Sequence, residues 1–150
     1  MITMGIRAEP SAVTFAVYDS DSGAIVNVEE LKIPYAFEVP DSLKYVRNNI
    51  LDVLREYKVD RAGVRITEPN ADASHIRVQI EGVIQEAFAS SDLDAYYVGQ
   101  ISSISAKLGI DRADFKPLVA GEKEYQVENW KSLGKNAREA VLCAIGAVNA

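Results

Sequence analysis

The run ITMGIRAEPSAVTFAVYDSDSGAIVNVEELKIP, residues 2–34, decides the fold. Its first piece, ITMGIRAE, reads as a strand. In SAVTFAVYD, Val13, Phe15 and Val17 alternate with Thr14, Ala16 and Tyr18, the period of a second strand. The EPS between them, residues 9–11, is short enough for a hairpin. DSDSG, residues 19–23, is a polar turn; it lacks the downstream Glu of a calcium loop. AIVNVEELKIP then reads as a third strand, so three antiparallel strands come first. One residue is out of place: Arg7 is a permanent cation at the end of what reads as a core strand.

Downstream the period changes. In residues 39–60, Leu43, Val46, Ile50, Val53, Leu54 and Tyr57 share one helical face, with Pro40, Asp41 and Ser42 as start signals. RAGVRITE, residues 61–68, is a fourth strand, and PNADAS, residues 69–74, a loop. A second helix follows over 75–90, with Ile76, Ile80, Val83, Ile84 and Ala87 on one face. AYYVGQ, residues 95–100, is a fifth strand. ISSISAKLG is a short helix with Ser102 or Ser103 near its cap. A further helical piece is expected in RADFKPLVAG, with Pro117 marking a start or a break. Residues 122–136 read as a loop with some local helix, and AREAVLCAIGAVN as a last, mostly buried helix. The order is β-β-β-α-β-α-β-α. Right-handed crossovers then predict a mixed five-stranded α/β sheet in the order 3-2-1-4-5, with strands one, four and five parallel.

With 150 residues, 48% of them hydrophobic, the chain suits a single domain spanning 1–150. No apolar run is long enough to span a bilayer, and the first residues lack the pattern of a signal peptide. One cysteine, Cys143, excludes an internal disulfide and a cysteine-based zinc site; its apolar surroundings mark it as core. A cytoplasmic location is the expectation. The net charge is −6, and basic residues are interleaved with acids rather than gathered in a block. That disfavours nonspecific nucleic-acid binding and an anionic membrane surface, without excluding a local basic patch.

Four stretches, in order, resemble the ribonuclease H-like proteins and, within them, the RuvC branch of Holliday-junction resolvases. MGIRAEPSAVTFAV resembles the family's first hairpin, AGVRITEPN its fourth strand, ASHIRVQIEGVIQEAF the helix after it, and KNAREAVLCAIGA the final helix. The resemblance implies a nuclease site in which carboxylates from strand one, strand four and the last helix hold two Mg²⁺ or Mn²⁺ ions. Carried over residue by residue, the first acid falls at Arg7, the strand-four acid at Glu68, and the last-helix acids at Asn136 and Glu139. Only Glu68 keeps the family's residue. A slipped alignment offers Glu9 or Asp19 in place of Arg7. The resemblance also implies a twofold homodimer, for which Val78, off the apolar face of the second helix, is available.

Each of these residues has a plainer reading. Glu68 is either a solvated carboxylate entering a loop or part of a former active-site cleft. Glu139 is either an exposed acid near a helix start, favoured there by the dipole, or a member of that cleft. Asn136 reads as an N-cap before it reads as a ligand. His75 has no Ser or Cys motif beside it and reads as structural or solvated. Tyr96 and Tyr97 read as core or interface. No phosphate-binding Gly-rich loop is present.

Two functions follow as expectations. The first is a catalytically degenerate RuvC-like binding or scaffolding module, without metal or other cofactor, in nucleic-acid metabolism or defence. The second is an active Mg²⁺- or Mn²⁺-dependent nuclease with rearranged ligands, Glu68, Glu139 and Glu9. A nucleotide-binding offshoot is disfavoured by the length and the missing phosphate loop. Arg7 separates the first two, and an ion pair of Arg7 with Glu68, Glu139 or both is expected.

Overall fold

The computed structural model describes residues 1–72 and 74–150; Ala73, within the expected 69–74 loop, lies outside the described residues. Strands β1 (Ile2–Ala8), β2 (Ala12–Asp19) and β3 (Ala24–Lys32) form the expected meander. Helix α1 (Val39–Glu56) crosses to β4 (Arg61–Arg65), and α2 (His75–Ala89) crosses to β5 (Ala95–Gly99). Helices α3 (Ile101–Leu108), α4 (Arg112–Ala120) and α5 (Lys135–Gly146) complete the chain, with short 3-10 turns at Trp130–Ser132 and Ala147–Asn149. The sheet order is β3-β2-β1-β4-β5; β1 pairs antiparallel with β2 and parallel with β4, which pairs parallel with β5.

The alternation in β2 feeds two cores. Val13, Phe15 and Val17 join Met4, Ile6 and Val64 against α1 and α2. On the other face, Ala16 and Tyr97 meet α3, α4 and the Ala140–Ala144 stretch of α5. The central strands are therefore covered on both sides, the condition under which an α/β sheet buries nearly continuous apolar strands. The edge strand β3 is partly solvated and carries Glu29, Glu30 and Lys32, charges that discourage edge-to-edge pairing.

Helix α5 lies unusually close to β1. A Cβ on Gly5 would sit 2.1 Å from the Ala140 carbonyl oxygen and 2.2 Å from the Ala144 nitrogen. Glycine at that position admits the helix backbone itself. Thr3 Oγ1 donates to the Ala144 carbonyl at 2.6 Å and fixes the register of helix on strand.

Ser103 stands near the cap of α3 as expected: Gln100 is the cap, and the Ser103 hydroxyl accepts from the Gln100 N–H at 2.9 Å in a reciprocal box. One local expectation is corrected. Pro117 sits inside α4 rather than at its start or break. It costs one backbone bond in a two-turn helix held by burial of Phe115, Leu118 and Val119. The expected start signals of α1 stand at its beginning: Glu38 occupies the cap, Pro40 and Asp41 lie in the first turn, and Ser42 is buried.

Candidate functional site at the carboxyl edge of the sheet

Parallel β1 and β4 end at the same edge, the edge at which open α/β sheets commonly place function. Gly5, Ile6 and Arg7 are register partners of Gly63, Val64 and Arg65. Side chains alternate along a strand. Met4, Ile6, Ala62 and Val64 point into the α1–α2 core, so Gly5, Arg7, Gly63 and Arg65 face α5. The small residues let α5 and the Tyr97 ring approach, and the two arginines then reach the first turns of α5.

Their meeting point is Glu139. Arg7 Nε lies 3.0 Å from Glu139 Oε2, and Arg65 Nε donates to Glu139 Oε1 at 2.8 Å. The side chains are 11%, 6% and 6% exposed for Arg7, Arg65 and Glu139 respectively. The reading of Glu139 as an exposed helix-start acid is thereby overturned: it is a buried carboxylate with one guanidinium on each oxygen. The expected ion pair of Arg7 is made with Glu139. Glu68 belongs to Arg65 instead, at 3.6 Å from its Nη2. Arg65 also donates to the Ile66 carbonyl and lies 5.9 Å from the Phe115 ring centroid.

Glu68 is partly buried, and its Oε1 accepts the Ile101 N–H at 2.8 Å, at the start of α3. It also lines a cleft of about 930 Å³ with Asn70, Gln100, Arg112 and Lys116. On the α2 side, buried Glu81 accepts from Thr67 N at 3.1 Å and Thr67 Oγ1 at 2.9 Å, and pairs with Arg77 Nε at 3.3 Å. Burial pushes the Arg7 guanidinium below its ordinary range; Glu139 pulls it back up, while Arg77 and Arg65 push it down. A guanidinium so perturbed still keeps its proton at neutral pH.

The other sequence candidates fall elsewhere. Glu9 lies just past the end of β1 and shares a separate cleft of about 500 Å³ with Asn136, Lys32 and Ser11. Asn136 is not the cap of α5; Gly134 is, and Asn136 stands in the first turn. Asp19 pairs with Ile2, at the opposite end of β1 from Arg7, and its Oδ1 accepts the Asp21 N–H within the turn. His75 is exposed at the first residue of α2. Tyr97 is core, its hydroxyl donating to the Cys143 carbonyl at 2.8 Å, and Cys143 is fully buried. Tyr96 is exposed.

Arg65 and Glu81 escaped the sequence reading. A signal for Arg65 was present: Gly-Ile-Arg at 5–7 recurs as Gly-Val-Arg at 63–65. Glu81 sits one residue past Ile80 on the apolar face of its helix, one turn after Arg77.

A pair of divalent ions needs carboxylate oxygens that are free and converging. Both Glu139 oxygens face guanidinium groups, Glu81 is engaged with Thr67 and Arg77, and a cation occupies the Arg7 position. Among the described residues no three His, Cys, Asp or Glu side chains gather as a metal cluster. The residues at this edge do not fit a metal pair.

No protein-family model matches the sequence, and neither does any curated protein. Solved structures do. The chain is similar to Thermus thermophilus RuvC, at 14% identity and a TM-score of 0.73, over 97% of this chain and 92% of that one. It is similar also to T. thermophilus RuvC in complex with a Holliday junction substrate, at 11% identity and a TM-score of 0.72 over the same shares. The yeast mitochondrial Holliday junction resolvase matches at 11% identity and a TM-score of 0.54, over 95% of this chain and 77% of that one. The fold is therefore ribonuclease H-like, with the RuvC arrangement of sheet and helices.

Proposed function

We propose that this chain is a catalytically degenerate RuvC-like domain that works as a binding or scaffolding module and cuts no phosphodiester bond. One observation carries the reading: Arg7 and Arg65 occupy both oxygens of Glu139, at the edge where converging carboxylates would hold metal. Two guanidinium groups there supply the positive charge that keeps the acids together, but they cannot activate water as a bound metal does. The likeness to RuvC bound to a Holliday junction makes branched DNA the first ligand to test. The test incubates purified protein with branched and linear DNA in Mg²⁺ or Mn²⁺. No cleavage is expected. Cleavage that disappears in Glu68→Gln overturns the reading in favour of a nuclease with rearranged ligands.

The module is proposed to act as a twofold homodimer. Val78 of α2 is 46% exposed and Tyr96 of β5 is 45% exposed, apolar surface that a second copy can cover. Light scattering should give the mass of a dimer at micromolar protein, and Val78→Glu should shift it to a monomer. A monomer mass for the unaltered chain overturns this assembly.

No helix among the described residues is long and apolar enough to cross a membrane.

A further inference from the structure

Arg112 is the one arginine without a partner among the described residues. Every other arginine faces a carboxylate or donates to a backbone carbonyl. Arg112 is also the first residue of α4, where the helix dipole disfavours a cation, and Lys116 follows it one turn later on the same side. Like charges at that spacing repel, and Lys116 has no ion pair among the described residues; the lysines that do are Lys123 and Lys131. In a chain of net charge −6, with acids in excess, this is a pair of cations left unneutralised. Both residues are exposed, and both line the cleft of about 930 Å³ beside Glu68.

We infer that this cleft is a receptor for a small phosphomonoester that carries hydroxyl groups, of the sugar-phosphate class. Its volume takes a small organic molecule whole. Arg112 supplies a planar fork that matches phosphate oxygens, and Lys116 a second positive charge. Two cations suit the double charge of a monoester at neutral pH better than the single charge of a diester. The rest of the lining comes from residues 68–71 and the start of α3. There Glu68 Oε1 is engaged by the Ile101 N–H and by Arg65, which leaves Oε2 without a donor among the described residues. A carboxylate so placed accepts hydroxyl groups and repels a second anionic group, and exposed Asn70 and Ser102 add further polar contacts. No aromatic side chain lines the cleft among the described residues, so nothing there stacks on a nucleobase. The inference rests on the degenerate reading of this edge, because that reading leaves Glu68 free of metal.

The test is calorimetric titration of the full chain with ribose 5-phosphate, in excess EDTA and at ionic strength matched with chloride. Saturable binding is expected. It should weaken about tenfold in Arg112→Gln and in Lys116→Gln, the loss of one charge-assisted contact in each. Both positions are exposed, so the variants keep the fold. Lys44→Gln, which alters an exposed cation on α1, should leave binding unchanged. Ribose and inorganic phosphate, each lacking half of the contacts, should bind at least about tenfold more weakly. Absence of saturable binding, unchanged binding in Arg112→Gln and Lys116→Gln, or equal binding of inorganic phosphate overturns the receptor. A single-stranded DNA oligomer that binds through these two residues while ribose 5-phosphate does not overturns it as well, and assigns the cleft to a polymer backbone. Cleavage of DNA by the same preparation in Mg²⁺ overturns the degenerate reading instead, so the two failures are distinguishable.

Discussion

Arg7 and Arg65 stand side by side at the ends of parallel strands, and their Nε atoms lie 3.0 Å and 2.8 Å from different oxygens of Glu139. Like charges on neighbouring strands oppose pairing, so this stretch of the sheet depends on the carboxylate that α5 inserts between them. Strand pairing and helix docking are thereby coupled through one side chain.

Removing that carboxylate should cost more than removing either arginine. Glu139→Gln leaves two buried cations without their shared counter-charge and should destabilise by about 4 kcal/mol. Arg7→Ala leaves Glu139 with Arg65 and should cost about 2 kcal/mol. Urea denaturation of the two variants checks the ranking. The coupling is wrong if Arg7→Ala proves the more damaging.

Metal binding should not arise with one substitution. Arg7→Asp places a carboxylate at the end of β1, but Arg65 still occupies Glu139 Oε1. The double variant Arg7→Asp with Arg65→Ala frees both Glu139 oxygens beside a new carboxylate. Mn²⁺ titration followed by electron paramagnetic resonance should show binding in the double variant and none in the single one. Binding by the unaltered chain would contradict the account of this edge.

Gly5→Ala should be among the most damaging small substitutions in the chain. Its methyl group would press on the backbone of α5, which cannot rotate away as a side chain can. Lifting the helix breaks the Thr3 contact and draws Glu139 from the arginines. A loss of about 3 kcal/mol is expected, read from the thermal or urea midpoint. Gly82→Ala is the control, because no atom lies within 4 Å of its added Cβ.

Alkaline pH should weaken the fold through Cys143. Burial is the chief cause that pushes its thiol up to about 11, from 9.0 for an unperturbed group. In that window the unfolded chain releases a proton that the folded chain retains, so stability is full below about pH 9 and falls as pH rises toward about 11. The loss attributable to Cys143 is about 3 kcal/mol. Tyr97, raised mainly by burial as well, adds to the decline above its ordinary range. Denaturation at pH 8, 9.5 and 11 should show a steep fall that Cys143→Ala makes shallower. An unchanged slope in that variant removes Cys143 as the cause.

Sequence periodicity alone determined the strand and helix order, and with the handedness of crossovers it determined the sheet order 3-2-1-4-5. Those features are local or follow from chain connectivity: the period of two in residues 12–18, the change to helical spacing after Val39, and the short links between elements. Arg7 was also legible as an anomaly, because a charge at the end of an apolar strand requires a partner. Which partner it took was not legible. Glu68 and Glu139 are equally acidic in the sequence; only the close approach of α5 at Gly5 brings Glu139 under Arg7, while the α3 amide and Arg65 draw Glu68 aside. Caps and burial of single charges were likewise decided by packing. Asn136 yielded the cap to Gly134, and Glu139 went from a helix surface to a closed interior. Pattern reports which face of an element is apolar. The position of one charged atom to within an ångström depends on how far apart two elements come to rest, and that distance exists only in the folded chain.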